Sequence, residues 1–146
     1  MLHHIGITVS DSETAVEFFR VATGGPAAGP YVKSGPAVDA VTGYPGARII
    51  QHFVTPPSGN GVIELLEYRG TPDNRIDPDN GNIGTAHPAV VVADMEHTLE
   101  RLAELGYRPT SVPQIATSGP IEGYRYVYVI GPDSIRVELL EEPVDQ

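Results

Sequence analysis

The feature that most constrains this chain is a repeat. His87-Pro88-Ala89-Val90-Val91-Val92-Ala93-Asp94 lies over His4-Ile5-Gly6-Ile7-Thr8-Val9-Ser10-Asp11 without a gap. Each stretch reads as a strand running into an Asp suited to cap a helix. A helical pattern follows both times: Ala15, Val16, Phe18, Phe19 and Ala22 before Gly24-Gly25-Pro26, then Met95, Leu99, Leu102, Ala103 and Leu105 before Gly106. Ser10 and Glu13 stand at capping-box spacing ahead of the first helix. The far ends also match, since IRVELLE (135–141) echoes VIELLEY (62–68). Further strands are expected over 48–54 and 124–130, joined to the closing strands by Gly/Pro/Asn/Ser turns. Residues 23–46 read as loop with one short strand, the stretch after Gly106 as punctuated loop, and 70–84 as a polar linker.

The expected fold class is therefore α+β: two βαβββ modules of about 65 residues each, related by a pseudo-twofold axis. Residues 1–70 form the first module, 71–84 the linker and 85–146 the second, all within one compact domain. With 16 Gly and 14 Pro in 146 residues the chain is too interrupted for a helical bundle. A net charge of −10 repels phosphate backbones and anionic lipid, which argues against nucleic-acid and membrane-surface roles. The sequence has no long apolar run and no signal-peptide pattern, so a cytoplasmic protein is expected. With no cysteine, any metal must be held by His, Asp or Glu.

Four such residues recur at equivalent places: His4 and His87 on the first strand of each module, Glu64 and Glu138 on the last. In every case the flanking apolar residues take the opposite face, where a helix can cover them. Sheets curled toward one another would bring all four into a cup. Two imidazoles and two carboxylates suit one divalent first-row ion (Ni, Co, Zn, Mn or Fe), and the charges then sum to zero. Tyr124, Tyr126 and Tyr128 alternate with Arg125, Val127 and Val129, which points the tyrosines into the cup as substrate contacts. His52 is a further substrate-contact candidate, with either strand face open to it. His97 is expected in solvent, and His3 toward the helix or rim without a chemical role.

The blocks HHIGITVSDSETAVEFF, GVIELLEY, GTAHPAVVVADMEHTLERL and GPDSIRVELLE resemble the vicinal oxygen chelate superfamily, over about residues 2–141. That group includes glyoxalase I, methylmalonyl-CoA epimerase, extradiol dioxygenases and the fosfomycin- and bleomycin-resistance proteins. The resemblance implies paired βαβββ modules forming a metal-holding cup, with His4 rather than His3 matching the first ligand and Glu64, His87 and Glu138 the others. It implies a metal-dependent isomerase, epimerase or lyase that acts on a small substrate with vicinal oxygens through an enediolate-like intermediate. Glu64 and Glu138 would carry the proton, Glu138 being favoured as base by analogy. A homodimer is also implied. Scattered basic residues (Arg20, Lys33, Arg48, Arg125) argue against a glutathione substrate. The competing readings are an Fe(II) ring-cleaving extradiol dioxygenase and a metal-free drug-binding resistance protein.

Overall fold

The computed structural model describes residues 2–144. They fall into two compact units, one reaching to Ile76 and the other starting at Asp77, with Val21–Gly24 belonging to the second. The architecture is mixed α+β, with two sheets and three α-helices among the described residues.

The first unit runs β1 (His4–Thr8), α1 (Ser12–Thr23, whose last three residues fall in the second unit), β2 (Ala27–Lys33), α2 (Pro36–Thr42), β3 (Arg48–Val54) and β4 (Val62–Arg69). Its sheet has the order β1-β4-β3-β2, with β1 parallel to β4 and the other pairs antiparallel. The second unit runs β5 (Ala89–Val92), α3 (Met95–Glu104), β6 (Arg108–Pro109), β7 (Gln114–Ile115), β8 (Arg125–Ile130) and β9 (Arg136–Glu141). Its order is β5-β9-β8-β6, with β7 also on β8 and β5 parallel to β9. Both units are thus strand, helix, then antiparallel strands that return to lie parallel beside the first. Alternation fixes the buried faces: Ile63, Leu65 and Val54 in the first sheet, Val127, Val129, Val137 and Leu139 in the second, none more than 3% exposed.

Each helix start is fastened to the last strand of its own unit, in the same way twice. Asp11 Oδ1 accepts the Thr14 N–H at 2.9 Å and Asp94 Oδ1 the His97 N–H at 2.9 Å, so both repeat aspartates are N-caps. The following residue reaches the sheet: the Ser12 N–H and hydroxyl donate to Glu67 Oε2 at 3.0 and 2.8 Å, and the Met95 N–H donates to Glu141 Oε1 at 2.7 Å. Glu67 and Glu141 lie three residues beyond Glu64 and Glu138. A carboxylate at a helix N-terminus also meets the positive end of the helix dipole.

Three sequence expectations need correction. Residues 23–46 hold a full strand and a helix, β2 and α2, rather than loop with a short strand. The loop after Gly106 contains β6 and β7, each two residues long. His87 precedes β5 rather than lying on it, although the Glu138 N–H still reaches the Pro88 carbonyl at 3.0 Å. Pro88 has no N–H to extend the ladder. At the first helix the Asp11 cap expected from the repeat is present. In β2, Gly29 is held at φ +121°, and a Cβ there would lie 2.8 Å from both the Gln51 carbonyl oxygen and His52 Cδ2, so only glycine fits beside β3.

Burial opposes the Glu67 carboxylate, but the Ser12 N–H, the Arg69 guanidinium and the Ser12 hydroxyl outweigh it and hold its pKa below the ordinary glutamate value of 4.5. A depressed folded pKa stabilises above the unfolded value, and that contribution is lost as pH falls through the folded one. Glu67→Gln should therefore cost about 1 kcal/mol at neutral pH in urea denaturation, the gap to the parent narrowing below pH 4.5. A gap independent of pH would contradict the clasp.

Candidate metal centre

Parallel pairing places the same two residues together in each unit. Glu64 lies opposite Gly6 in the β1–β4 register, and His4 is two residues earlier on the same face. Glu138 lies opposite Ala89 in the β5–β9 register, and His87 is again two residues earlier. The resulting approaches are 3.2 Å from His4 Nε2 to Glu64 Oε2 and 3.4 Å from His87 Nε2 to Glu138 Oε2. The structure thus pairs the four residues singled out from sequence within their own units, His4 with Glu64 and His87 with Glu138. Position 6 matters for clearance, since a Cβ on Gly6 would lie 3.1 Å from Glu64 Oε2.

The surroundings of the two pairs differ. Around Glu64, β3 contributes Gln51, whose side-chain amide donates to Glu64 Oε1, while Oε2 faces His4. Phe53 pairs with Glu64 in register and meets the His4 ring edge-on at 6.4 Å, and Tyr31 stands beside Phe53 at 6.2 Å. His3 meets His4, with 2.8 Å between their Nδ1 atoms. That contact leaves His4 Nε2 as the nitrogen facing Glu64. Gln51, Phe53 and Tyr31 carry no functional expectation from sequence, and His3 carries the expectation of no chemical role. The alternation of Gln51 and Phe53 with His52 was the available signal, but using it requires the β3–β4 register.

Around Glu138, Tyr128 is the register partner on β8, and its hydroxyl lies 3.2 Å from His87 Nε2 with the two rings perpendicular. Burial first, then the charge of Glu138 and the neighbouring Tyr126, push the Tyr128 phenol upward. Tyr126 shares this face, opposite Leu140. Tyr124 precedes the strand and donates to Glu142 at 3.1 Å, a contact that raises its own pKa. The tyrosine run thus has its first member tied to Glu142 and its last beside the His87–Glu138 pair. His97 is exposed, as expected.

His52 is a correction. It pairs with Leu65, is 3% exposed and approaches Glu13 of α1 at 3.3 Å, so it occupies the helix side of the sheet, away from Glu64. The parity that turns Gln51 and Phe53 toward Glu64 turns His52 to the opposite face of the sheet. The one group of three possible metal ligands within 4.8 Å of one another among the described residues is Asp94, Glu96 and Glu141. Arg125 bridges Glu96 and Glu141, and Asp94 and Glu141 accept helix N–H groups, so this group is an ion-pair and capping cluster.

His52 Nδ1 is buried without a hydrogen-bond partner, which favours an apolar replacement. His52→Leu should shift stability by no more than about 1 kcal/mol in urea denaturation. A loss of several kcal/mol would contradict the unpartnered state of Nδ1.

The sequence model of the Glyoxalase/Bleomycin resistance protein/Dioxygenase superfamily matches residues 3–128. A protein of Actinomyces sp. named 2-epi-5-epi-valiolone epimerase is 34% identical over 151 aligned positions, covering 97% of this chain and 79% of its own. Among solved structures, a glyoxalase family protein from Bacillus cereus superposes with a TM-score of 0.79 at 21% identity, covering 98% of this chain and 94% of the other. The trypanothione-dependent glyoxalase I of Leishmania major gives 0.60 at 18% identity, with coverages of 95% and 84%. These last two likenesses concern the fold. The duplicated strand–helix–strand pattern, the family match and the epimerase relative agree: this chain belongs to the Glyoxalase/Bleomycin resistance protein/Dioxygenase superfamily, with the vicinal oxygen chelate fold.

Proposed function

We propose that this chain is a divalent-metal-dependent epimerase or isomerase, with His4, Glu64, His87 and Glu138 as protein ligands and a small hydroxy ketone as substrate. One observation carries the reading: each half presents a His–Glu pair at the same register. Members of the superfamily commonly bind a divalent metal, and the Actinomyces relative bears an epimerase name. The pairs also fit an ion. Two donors at about 2.0–2.2 Å from one metal are about 2.9 Å apart at a right angle and about 3.4 Å apart at the tetrahedral angle. The observed 3.2 and 3.4 Å fall in that interval or at its edge. Two neutral imidazoles, two carboxylates and a divalent cation make a neutral set, which limits the cost of burial.

When bound, such an ion polarises the vicinal oxygens of a substrate and makes the adjacent C–H acidic. The proton traffic falls to the chain's own groups. Glu64 is fixed from two sides, by Gln51 and His4. The side-chain contact of the Glu138 carboxylate among the described residues is His87 alone, so Glu138 has the freedom to turn and accept a proton from carbon. Its return on the other face completes an epimerisation. An imidazole nitrogen has a single lone pair, so Tyr128 releases His87 Nε2 when that atom takes another partner. Its hydroxyl then serves a substrate oxygen, beside Tyr126.

With 2-epi-5-epi-valiolone in deuterated water, the wild-type chain should place one deuterium next to the ketone, and chelator treatment should abolish the exchange. Glu138→Gln should slow it by about 10²- to 10⁴-fold while the protein stays folded. Turnover without exchange, or an unaffected Glu138→Gln variant, would overturn the assignment.

A further inference from the structure

We infer that Gln51 is the positioning residue that makes Glu64 a fixed, one-oxygen metal ligand and so sets the affinity of the first His–Glu pair; this rests on the metal-dependent reading above. Gln51 and Glu64 face the same side of neighbouring strands, because Gln51 pairs with Leu66 and Glu64 with Phe53. The Gln51 Nε2 donates to Glu64 Oε1, leaving Oε2 directed at His4. A carboxylate offers only acceptors, so a side chain that secures one of its oxygens must bring a donor. An amide does so without charge. A lysine or arginine at position 51 would repel the cation, and a second carboxylate would repel Glu64. Partners that orient a ligand in this way are worth about 10- to 100-fold in metal affinity.

The second unit has no counterpart to this clamp among the described residues. Tyr128, the cross-strand neighbour of Glu138, directs its hydroxyl to His87 instead. The two halves repeat the ligands but not their support: Glu64 is braced and Glu138 is not. Glu64 is also the more buried carboxylate, at 11% side-chain exposure against 14%, with Ile63 and Leu65 of β4 on either side in sequence. An unbraced carboxylate there would lose both orientation and one hydrogen bond.

The test is a double-mutant cycle read as zinc affinity, measured by competition with a chromogenic chelator. Gln51→Met keeps the side-chain length and removes the donor; Gln51→Leu is the second variant should the first not fold by circular dichroism. The expected result is about 10- to 100-fold weaker binding in the wild-type background and no further loss when Gln51→Met is added to Glu64→Ala. Wild-type affinity in Gln51→Met overturns the role of Gln51, and so does an equal loss in both backgrounds, which would mark a general structural effect. A wild-type chain that binds no divalent ion would instead defeat the metal reading itself, and this role with it.

Discussion

The structure depends on a parallel strand pair formed twice. In each unit the first strand leads into a helix, and the last strand returns to lie beside the first, in register. A parallel neighbour cannot be reached by a tight hairpin, so helix and intervening strands are obligatory parts of the connection. Once the register is set, side-chain alternation does the rest. His4 must share a face with Glu64, and His87 with Glu138, two positions off the residue directly opposite. The same register aims Glu67 and Glu141 at the helix starts, three residues along and on the other face. One strand thus carries the histidine-paired glutamate on one side and a helix anchor on the other.

A carboxylate between Ile63 and Leu65 is an expensive residue to bury, and its neighbours offset that cost. His4 and Gln51 each take one oxygen of Glu64, and Gly6 leaves it room. The second half solves the same problem with a different set, in which Tyr128 engages the histidine rather than the glutamate. Duplication supplied equivalent His–Glu pairs; divergence of the facing strands, β3 and β8, supplied unequal surroundings. Unequal surroundings are what two chemically identical carboxylates need if one is to hold and the other to move.

The repeat made the α+β class and the matching places of the two His–Glu pairs legible, because strand alternation and helix caps are local signals. What escaped sequence reading escaped for physical reasons. All seven residues of β2 are exposed, and α2 buries none of its residues, so neither carries an amphipathic pattern. β6 and β7 are too short for any periodicity to register. The orientation of His52 was undecidable from its own strand, since its pairing with Leu65 is a property of the hairpin register. Gln51 and Phe53 were hidden by the same gap. His3 and His4 could be told apart only by parity and resemblance, and the structure shows them acting as neighbours.

The central proposal is that His4, Glu64, His87 and Glu138 are ligands of a divalent ion. Its most direct test is metal stoichiometry by elemental mass spectrometry, on untagged protein prepared without chelator. The account predicts one divalent ion per chain, lost on either His4→Ala or His87→Ala alone. No ion after incubation with zinc, nickel, cobalt, manganese or ferrous iron would contradict it, as would two ions per chain of which each substitution removes one.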